Sequence, residues 1–235
     1  MKLAAAALIV ALAAGAALPG VAQPVVPSGS DLEAVGWRPI LFRGRKPTRF
    51  ESAGGATISV DAEASSSMLS TPLGFDPSAF RCVAWRWIVD ESTLPATDLS
   101  RRGGDDRHLI VSIGFAFEPD RASLSERMRY ALARQQAGRD IPARVLFYVW
   151  GGAHPRDSWL ASPYMDGAGF IRVVEPAPGP HGRWIDVAVD VAADYEARFA
   201  APPPPVVEIA IGSDSDDTNA RTRGRIGDLA IKPRC

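Results

Sequence analysis

Two adjacent aspartates are the first residues of this chain whose chemistry and position suggest a site. Asp105 and Asp106 follow two glycines and precede an apolar segment typical of a strand. Paired carboxylates can act as general acid and base, or as oxygen ligands of a metal ion. An enzyme would combine this pair with a second carboxylate, for which Glu175 and Asp214 are the candidates. Alternatively, Gly-Gly-Asp-Asp forms a turn whose side chains hydrogen-bond the local backbone.

The densest group of oxygen-bearing side chains lies near the end of the chain. Ca²⁺ takes about six to eight oxygen ligands, which these side chains could supply, but the loop has neither the internal glycine nor the glutamate of an EF-hand. We therefore expect a salt-bridged loop, neutralised by the arginines at positions 221, 223 and 225, with a structural calcium site as the alternative. No other cofactor is expected. The loop residues are Asp214, Asp216, Asp217 and Asn219.

Aromatic side chains in the second half of the chain occupy positions that suit ligand binding. Tyr148 and Trp150 lie two residues apart, so both rings would project from one face of a strand. A long segment with glycine and proline follows and carries Trp159 and Tyr164. Ring faces in such a loop are available for stacking on a sugar. The alternative is that these rings pack within the loop.

Trp85 and Trp87 repeat the two-residue spacing earlier in the chain, with Arg86 between them. They could form a sugar-stacking platform on a sheet face. However, the segment CVAWRWIV is apolar on both sides, which is typical of a central strand in a sandwich core. We therefore expect core packing for these two tryptophans.

Short apolar segments separated by Gly, Pro, Asp and Ser turns dominate the chain after Trp37. About ten such segments without regular helical crossovers predict an all-β fold, an antiparallel jelly-roll-like β-sandwich. The period of two is clearest from Leu109 to Phe117, with Gly114 in the opposite register. The predicted strands cover residues 57–64, 82–89, 109–117, 144–150, 169–175, 184–191, 206–212 and 225–231.

Two short helices interrupt the strands. Ser123 and Glu126 form a capping box, and Gly138 is a C-cap, which predicts a helix over 123–137. A second helix is predicted over 190–201 and ends at a run of prolines. In the first helix, an apolar stripe is formed by Leu124, Met128, Ala131 and Leu132, and the other face carries Arg127, Arg129 and Arg134.

The first 22 residues have the features of an export signal. Lys2 precedes an apolar run, and small residues at the end of this stretch suit signal peptidase. The run is short and rich in alanine for a membrane span. We expect a periplasmic or secreted protein without a transmembrane segment after cleavage. The predicted parts are a signal peptide (1–22), a flexible mature N-terminus (23–35) and a single β-sandwich domain (36–235).

The chain has two cysteines, Cys82 and Cys235. In an oxidising compartment such a pair predicts a disulfide, since one begins a strand and the other closes the last strand. The alternative is one buried and one exposed thiol. The formal net charge of −1 argues against nucleic-acid binding and gives no support for an anionic membrane surface as partner.

The order and spacing of several short stretches over residues 36–231 resemble a known bacterial family. The stretches are Trp85-Arg86-Trp87, Gly104-Asp105-Asp106, the capped helix at 123–137, Tyr148-Val149-Trp150, Pro163-Tyr164, Val173-Val174-Glu175, Asp194-Tyr195 with Phe199, residues 214–218 and Gly227-Asp228. The chain thus resembles the exported proteins grouped as domain of unknown function 3047. The resemblance implies a sandwich similar to carbohydrate-binding modules and no established activity.

One residue departs from this resemblance. Such proteins often carry an arginine early in the strand after the paired aspartates, where this chain has Ile110. It carries Arg107 beside the aspartates instead. The resemblance therefore assigns no role to Arg107.

These observations predict a non-catalytic module that binds a carbohydrate or another small ligand. Signatures of common enzyme classes, such as a nucleophile elbow or a phosphate-binding loop, are missing. Two alternatives are a carbohydrate-active hydrolase or lyase that uses Asp105 or Asp106, and a structural protein of the cell envelope. The expected partner is a saccharide or an envelope component. The predicted ligand contacts are Trp159, Tyr164, Tyr148, Trp150, Asp105 and Asp106.

Overall fold

The computed structural model describes residues 23–25 and 31–235. The predicted signal peptide lies outside the described residues, as do residues 26–30. The described strands are β1 (Gln23–Pro24), β2 (Arg38–Leu41), β3 (Arg49–Ser52), β4 (Thr57–Glu63), β5 (Ser66–Phe75), β6 (Cys82–Ser92), β7 (Arg107–Phe115), β8 (Arg144–Trp150), β9 (Trp159–Ala161), β10 (Gly169–Glu175), β11 (Ile185–Asp190), β12 (Val206–Asp214) and β13 (Arg221–Lys232). The helices are α1 (Leu124–Ala137) and α2 (Val191–Phe199), with a 3₁₀ turn at Pro119–Arg121.

The described strands form two sheets. The six-stranded sheet has the order β11-β6-β13-β4-β3, with β1 paired to β13. The seven-stranded sheet has the order β2-β5-β12-β7-β8-β10-β9. The predicted all-β fold of two sheets with two inserted helices is therefore confirmed, whereas the jelly-roll arrangement stays a prediction.

Side chains alternate along β7 between the core and the opposite face of its sheet. Leu109, Val111, Ile113 and Phe115 belong to a core cluster that also contains residues of the six-stranded sheet. The intervening side chains project from the outer face, as the period of two requires. Every residue of β7 is buried. The side chains on the outer face of this central strand are therefore also shielded from solvent.

One strand pair departs from the predicted antiparallel arrangement. β8 and β10 run parallel, with Val145 opposite Gly169. Parallel neighbours need a crossover of about a dozen residues or more. Residues 151–168 supply it and include the short strand β9, which pairs with β10 in the antiparallel sense. The long segment predicted as a binding loop thus forms the connection between two parallel strands.

Each predicted strand has a counterpart, but β1, β2, β3, β5 and β9 are additional strands. The longest of these, β5, reads SSMLSTPLGF. Its serines and its proline disfavour a strand prediction. In the structure β5 is paired on both sides, with β2 and β12, and Ser66, Ser67 and Ser70 are buried.

The capping signals of α1 are confirmed. The Ser123 hydroxyl accepts a hydrogen bond from the Glu126 N–H, and Glu126 Oε2 accepts one from the Ser123 N–H. Gly138 closes the helix at a φ of 63°. No residue within α1 is buried, so its apolar stripe does not face the core. In the described part of the chain, no helix is both long and apolar enough to cross a membrane.

The predicted disulfide between Cys82 and Cys235 is present. The antiparallel pairing of β6 with β13 places Lys232 directly opposite Cys82. The last residues of the chain therefore lie beside the start of β6. The bridge joins residues 153 positions apart in sequence, so it closes most of the domain into one loop.

Candidate functional site

A cleft of about 490 Å³ lies on the outer face of the seven-stranded sheet. Its floor consists of side chains that alternate with the core residues of the central strands. Ile110 and Ser112 of β7 lie there with Ala210 of β12, Phe147 of β8 and Met68 of β5. These side chains are mostly apolar, so the floor offers a ligand mainly van der Waals contact.

Charged side chains gather at one end of this cleft because of strand register. The antiparallel pairing of β7 with β12 places Arg107 directly opposite Asp214. Asp105 precedes β7 and Asp216 follows β12. Because the two strands are antiparallel, both residues lie at the same end of the strand pair. Tyr164 reaches this end from the loop after β9. We refer to these five residues as the acidic end of the cleft.

Asp105 connects the two sides of the acidic end. Its Oδ1 accepts a hydrogen bond from the Tyr164 hydroxyl at 3.0 Å, and its Oδ2 accepts one from the Arg107 guanidinium at 2.5 Å. Arg107 Nε also donates to the Asp105 carbonyl. Asp105 is only 4% exposed, whereas Tyr164 is 52% exposed. The carboxylate is therefore fixed in place beside an accessible ring.

Among the carboxyl groups of the described residues, Asp214 has the pKa that departs furthest from its ordinary value. Burial raises its pKa to about 8, and the attraction of Arg107, 3.9 Å away, offsets only part of this effect. A hydrogen bond with Asp216 and the charges of Asp105 and Asp106 raise this pKa further. Its Oδ1 has no hydrogen-bond partner among the described residues. Burial thus favours the protonated form of Asp214.

Asp106 supports the loop between β12 and β13 rather than lining the cleft. It is fully buried and accepts hydrogen bonds from the N–H groups of Asp217 (3.3 Å) and Thr218 (2.9 Å) and from the Thr218 hydroxyl (2.6 Å). Asn219 ends the same turn in the left-handed conformation, at a φ of 51°. Asp105 and Asp106 therefore have different roles and do not form a matched catalytic pair.

The predicted calcium ligands are divided between two positions. Carboxylate oxygens of Asp216 and Asp217 lie within 4.8 Å of each other and of Asp106. The Arg45 guanidinium contacts Asp216 and lies 3.6 Å from Asp217. Because this guanidinium supplies positive charge where a cation would bind, the arrangement favours the salt-bridged loop. Asp214 lines the same cleft as Asp216 and Asp217, whereas Asn219 lies outside the cleft lining.

The arginines that neutralise this loop are not those expected from the sequence. The arginines at the start of β13 pair with acids of the six-stranded sheet, such as Arg223 with Asp61 (3.3 Å) and Arg225 with Asp90 (2.6 Å). Arg45 comes from the segment between β2 and β3, far from the loop in sequence. Only the fold could reveal this partner.

Tyr148 and Trp150 lie in the core, so the prediction that they bind a ligand is wrong. Both are 0% exposed. The Tyr148 ring lies 5.8 Å from Trp85, and the Trp150 ring lies 5.8 Å from Trp87. Their positions on β8 alternate with the cleft residues and face the other sheet. Trp85 and Trp87 are buried in the same cluster, as expected.

Trp159 and Tyr164 lie in different environments despite their nearness in sequence. Trp159 packs against the core, with its ring centroid 6.3 Å from that of Tyr148. The guanidinium carbons of Arg172 and Arg198 lie 5.8 Å and 5.3 Å from the Trp159 ring centroid. Tyr164, by contrast, lines the cleft. The structure therefore keeps only Tyr164 of this pair at the candidate site.

The other carboxylate considered for catalysis lies away from the acidic end. Glu175 is 5% exposed, and its Oε2 accepts a hydrogen bond from Arg156 at 2.5 Å. At the far end of the cleft, Arg139 and Glu208 form an ion pair at 2.6 Å. The cleft thus has an apolar floor between two polar ends.

Several cleft residues were not identified from the sequence. Arg45 and the serines at the start of β5 line the cleft, and so does Arg107. One signal was present in β7, where the residues between the core positions are Ile110, Ser112 and Gly114. A Cβ at Gly114 would lie 2.6 Å from Pro142, so a glycine lets this proline pack against the sheet.

Comparisons with known proteins give a likeness to solved structures and a family. The chain is similar to the xyloglucanase domain of NopAA, a type three effector from Sinorhizobium fredii, whose structure is in complex with cellobiose. The TM-score is 0.46 and the identity 8%, over 92% of this chain and 98% of that one. No curated protein matches the sequence. The family described as "Protein of unknown function (DUF3047)" matches residues 35–230, so the chain belongs to this family.

Proposed function

We propose that this protein is a saccharide-binding module whose ligand occupies the cleft on the seven-stranded sheet. The observation that carries this proposal is the convergence of Asp105, Tyr164 and Asp214 at one end of an otherwise apolar cleft. Ligand sites commonly combine an apolar lining with a few fixed polar groups. Side chains with altered protonation in such a cleft add to the case.

A sugar ring matches both parts of this cleft. Its C–H faces pack against apolar or aromatic side chains such as Phe147 and the exposed ring of Tyr164. Its hydroxyl groups can donate to the carboxylate of Asp105 and accept from the proton held by Asp214. The serine hydroxyls on the cleft wall can serve either role.

The charge at the acidic end favours a neutral saccharide over an acidic one. Asp105, Asp216 and Asp217 line this end of the cleft together with Arg45 and Arg107. Both arginines are already engaged by carboxylates, at Asp216 and Asp105 respectively. A sugar carboxylate would therefore meet like charge at this end, beside two arginines that are already paired.

A glycan array with neutral and acidic saccharides tests this proposal, followed by calorimetric titration of the glycans that bind. Asp105→Asn should weaken binding by about tenfold, because it removes a charged acceptor. Asp186→Asn is the matched control, since Asp186 is exposed on β11 of the other sheet. The proposal fails if the array shows no binding, or if both variants bind as the parent does. Without any binding on the array, a structural role in the envelope would be the better proposal.

A second candidate function is hydrolysis of a glycosidic bond in the same cleft. The raised pKa of Asp214 favours it, because a protonated carboxyl can give its proton to the leaving oxygen. Water would supply the attacking hydroxyl, and Asp105 or Asp216 would accept the proton of that water. Release of reducing ends from neutral polysaccharides tests this function. Activity that is lost in Asp214→Asn supports hydrolysis. Saccharide binding without release of reducing ends would contradict hydrolysis and support the binding module only.

We also infer that the protein acts outside the cytoplasm. The Cys82–Cys235 disulfide is typical of proteins in oxidising compartments. The composition of residues 1–22 adds an export signal. Mature protein should begin at Gln23, and N-terminal sequencing of the periplasmic or extracellular fraction measures this. Intact Met1 on protein confined to the cytosol would contradict the inference.

A further inference from the structure

Helix α1 presents its apolar stripe to solvent. Leu124 is 74% exposed, Met128 is 65% exposed and Leu132 is 56% exposed. The three residues are spaced by four, so they form one line along the helix. Amphipathic helices of globular proteins normally turn such a line toward the core. This helix does the opposite.

The face of α1 that contacts the rest of the protein carries Glu126 and Tyr130, which are partly buried. Tyr130 stacks on Phe117, with ring centroids 4.1 Å apart, and its hydroxyl donates to the Ile141 carbonyl at 2.9 Å. At about 100° per residue, Glu126 and Tyr130 lie on the side opposite Met128. Glu126 is occupied by the capping interactions with Ser123. The helix is thus anchored with its apolar line pointing away from the domain.

Arginines flank this apolar line on both sides. The helical spacing places Arg127 and Arg134 along one flank and Arg129 along the other. All three are exposed. Within α1 the one acidic residue is Glu126, which lies on the protein side. The exposed surface of α1 therefore combines an apolar centre with cationic edges.

The present partners of these arginines are weak. Arg127 donates to the Ala122 carbonyl, which leaves its charge uncompensated. Arg129 lies 3.9 Å from Asp166 and Arg134 lies 2.9 Å from Asp140, and both acids are exposed. Exposed ion pairs of this kind contribute little to stability, so phosphate groups can replace these partners.

We propose that α1 lies on an anionic lipid surface, with Leu124, Met128 and Leu132 inserted among the acyl chains. The flanking guanidinium groups then contact lipid phosphates at headgroup depth, as arginines do at membrane interfaces. The net charge of the chain gives no indication of this partner, since the positive charge is local to one helix face. This surface is separate from the saccharide cleft and does not depend on it.

Vesicle co-sedimentation tests this proposal with the full chain. The protein should bind vesicles of phosphatidylcholine and phosphatidylglycerol more tightly than vesicles of phosphatidylcholine alone, and added salt should weaken the binding. The combined variant Leu124→Ser, Met128→Ser and Leu132→Ser should weaken binding by about tenfold or more. Leu41→Ser is the matched control, because Leu41 is 65% exposed on β2. Melting temperatures confirm that both variants are folded.

Three results would overturn the proposal. The first is no binding to either kind of vesicle, and the second is equal binding by the combined variant and the parent protein. The third is a dimer in sedimentation equilibrium that the combined variant converts to a monomer, without any vesicle binding. That result would assign the apolar line to a second copy of the chain.

Discussion

The hydroxyl of Tyr164 donates a hydrogen bond to Asp105 Oδ1 at 3.0 Å, between residues 59 positions apart in the chain. The Tyr164 hydroxyl oxygen also accepts a hydrogen bond from the Gly103 N–H at 3.3 Å. Tyr164 thereby joins the loop after β9 to the turn before β7. Because these segments form two sides of the acidic end, this contact defines the shape of the cleft there.

Tyr164→Phe should weaken saccharide binding without unfolding the protein. The variant keeps the ring but removes the donor to Asp105, which we expect to lower affinity by about 1 kcal/mol. Tyr164 is 52% exposed, so little core packing is lost. Calorimetric titration with a glycan identified on the array measures the affinity, and a thermal melt measures the stability.

Tyr130→Phe is the matched control for this prediction. Tyr130 also donates one hydrogen bond, to the Ile141 carbonyl, but it does not line the saccharide cleft. Equal affinities for the two variants and the parent protein would remove Tyr164 from the site.

Trp159→Ala should reduce stability rather than ligand affinity. Trp159 packs against the core and lies beside the guanidinium groups of Arg172 and Arg198. Loss of this partly buried ring should lower the free energy of unfolding by about 1–3 kcal/mol. Trp87→Ala, at a fully buried position, should cost more, about 3–5 kcal/mol. Denaturant titration compares the two variants. A large loss of affinity in Trp159→Ala with unchanged stability would return this ring to the ligand site.

The sequence predicts much of the fold because hydrophobic alternation and capping signals are local. β7, β8, β10 and α1 follow directly from such patterns. The serine-rich β5 does not, because its stability comes from two neighbouring strands rather than from its own composition. The parallel pairing of β8 with β10 is likewise set by the crossover and not by either strand alone.

The candidate site is less predictable because it depends on strand register and on distant partners. Asp105 and Tyr164 are identified from the sequence as candidate ligand contacts, but nothing local indicates that they touch. Arg107 meets Asp214 only through the register of β7 with β12. A one-residue shift would also exchange Tyr148 with the cleft residues, which is why its burial could not be decided from spacing.

Asp214 should make the protein less stable as the pH rises. Its pKa of about 8 in the folded state lies above the ordinary value of 3.8 for an aspartate. Between these values the native state binds more protons than the unfolded state, so stability falls as pH rises through this range. Asp214→Asn removes the ionisation but keeps a donor. The free energy of unfolding of the variant, minus that of the parent, should therefore rise between about pH 5 and about pH 9. A difference independent of pH would contradict the altered protonation of Asp214.

His108 should act in the opposite direction at lower pH. It is 0% exposed, with Nδ1 3.4 Å from the Thr222 hydroxyl and the His181 ring 5.7 Å away. Burial, with a smaller effect of His181, lowers its pKa from 6.5 to about 4. As the pH falls from 6.5 to about 4, His108 binds a proton in the unfolded state but not in the native state. Stability should therefore decrease by about 3 kcal/mol over this range.

His108→Gln isolates this contribution, because glutamine stays neutral at every pH. The variant should lose less stability than the parent protein between about pH 7 and about pH 4 when both are unfolded in denaturant. The ring resonances of His108, followed by NMR during an acid titration, measure its pKa directly. A midpoint near 6.5 would show that His108 is protonated in the native protein as readily as in the unfolded one. Any loss of stability in acid would then come from other groups.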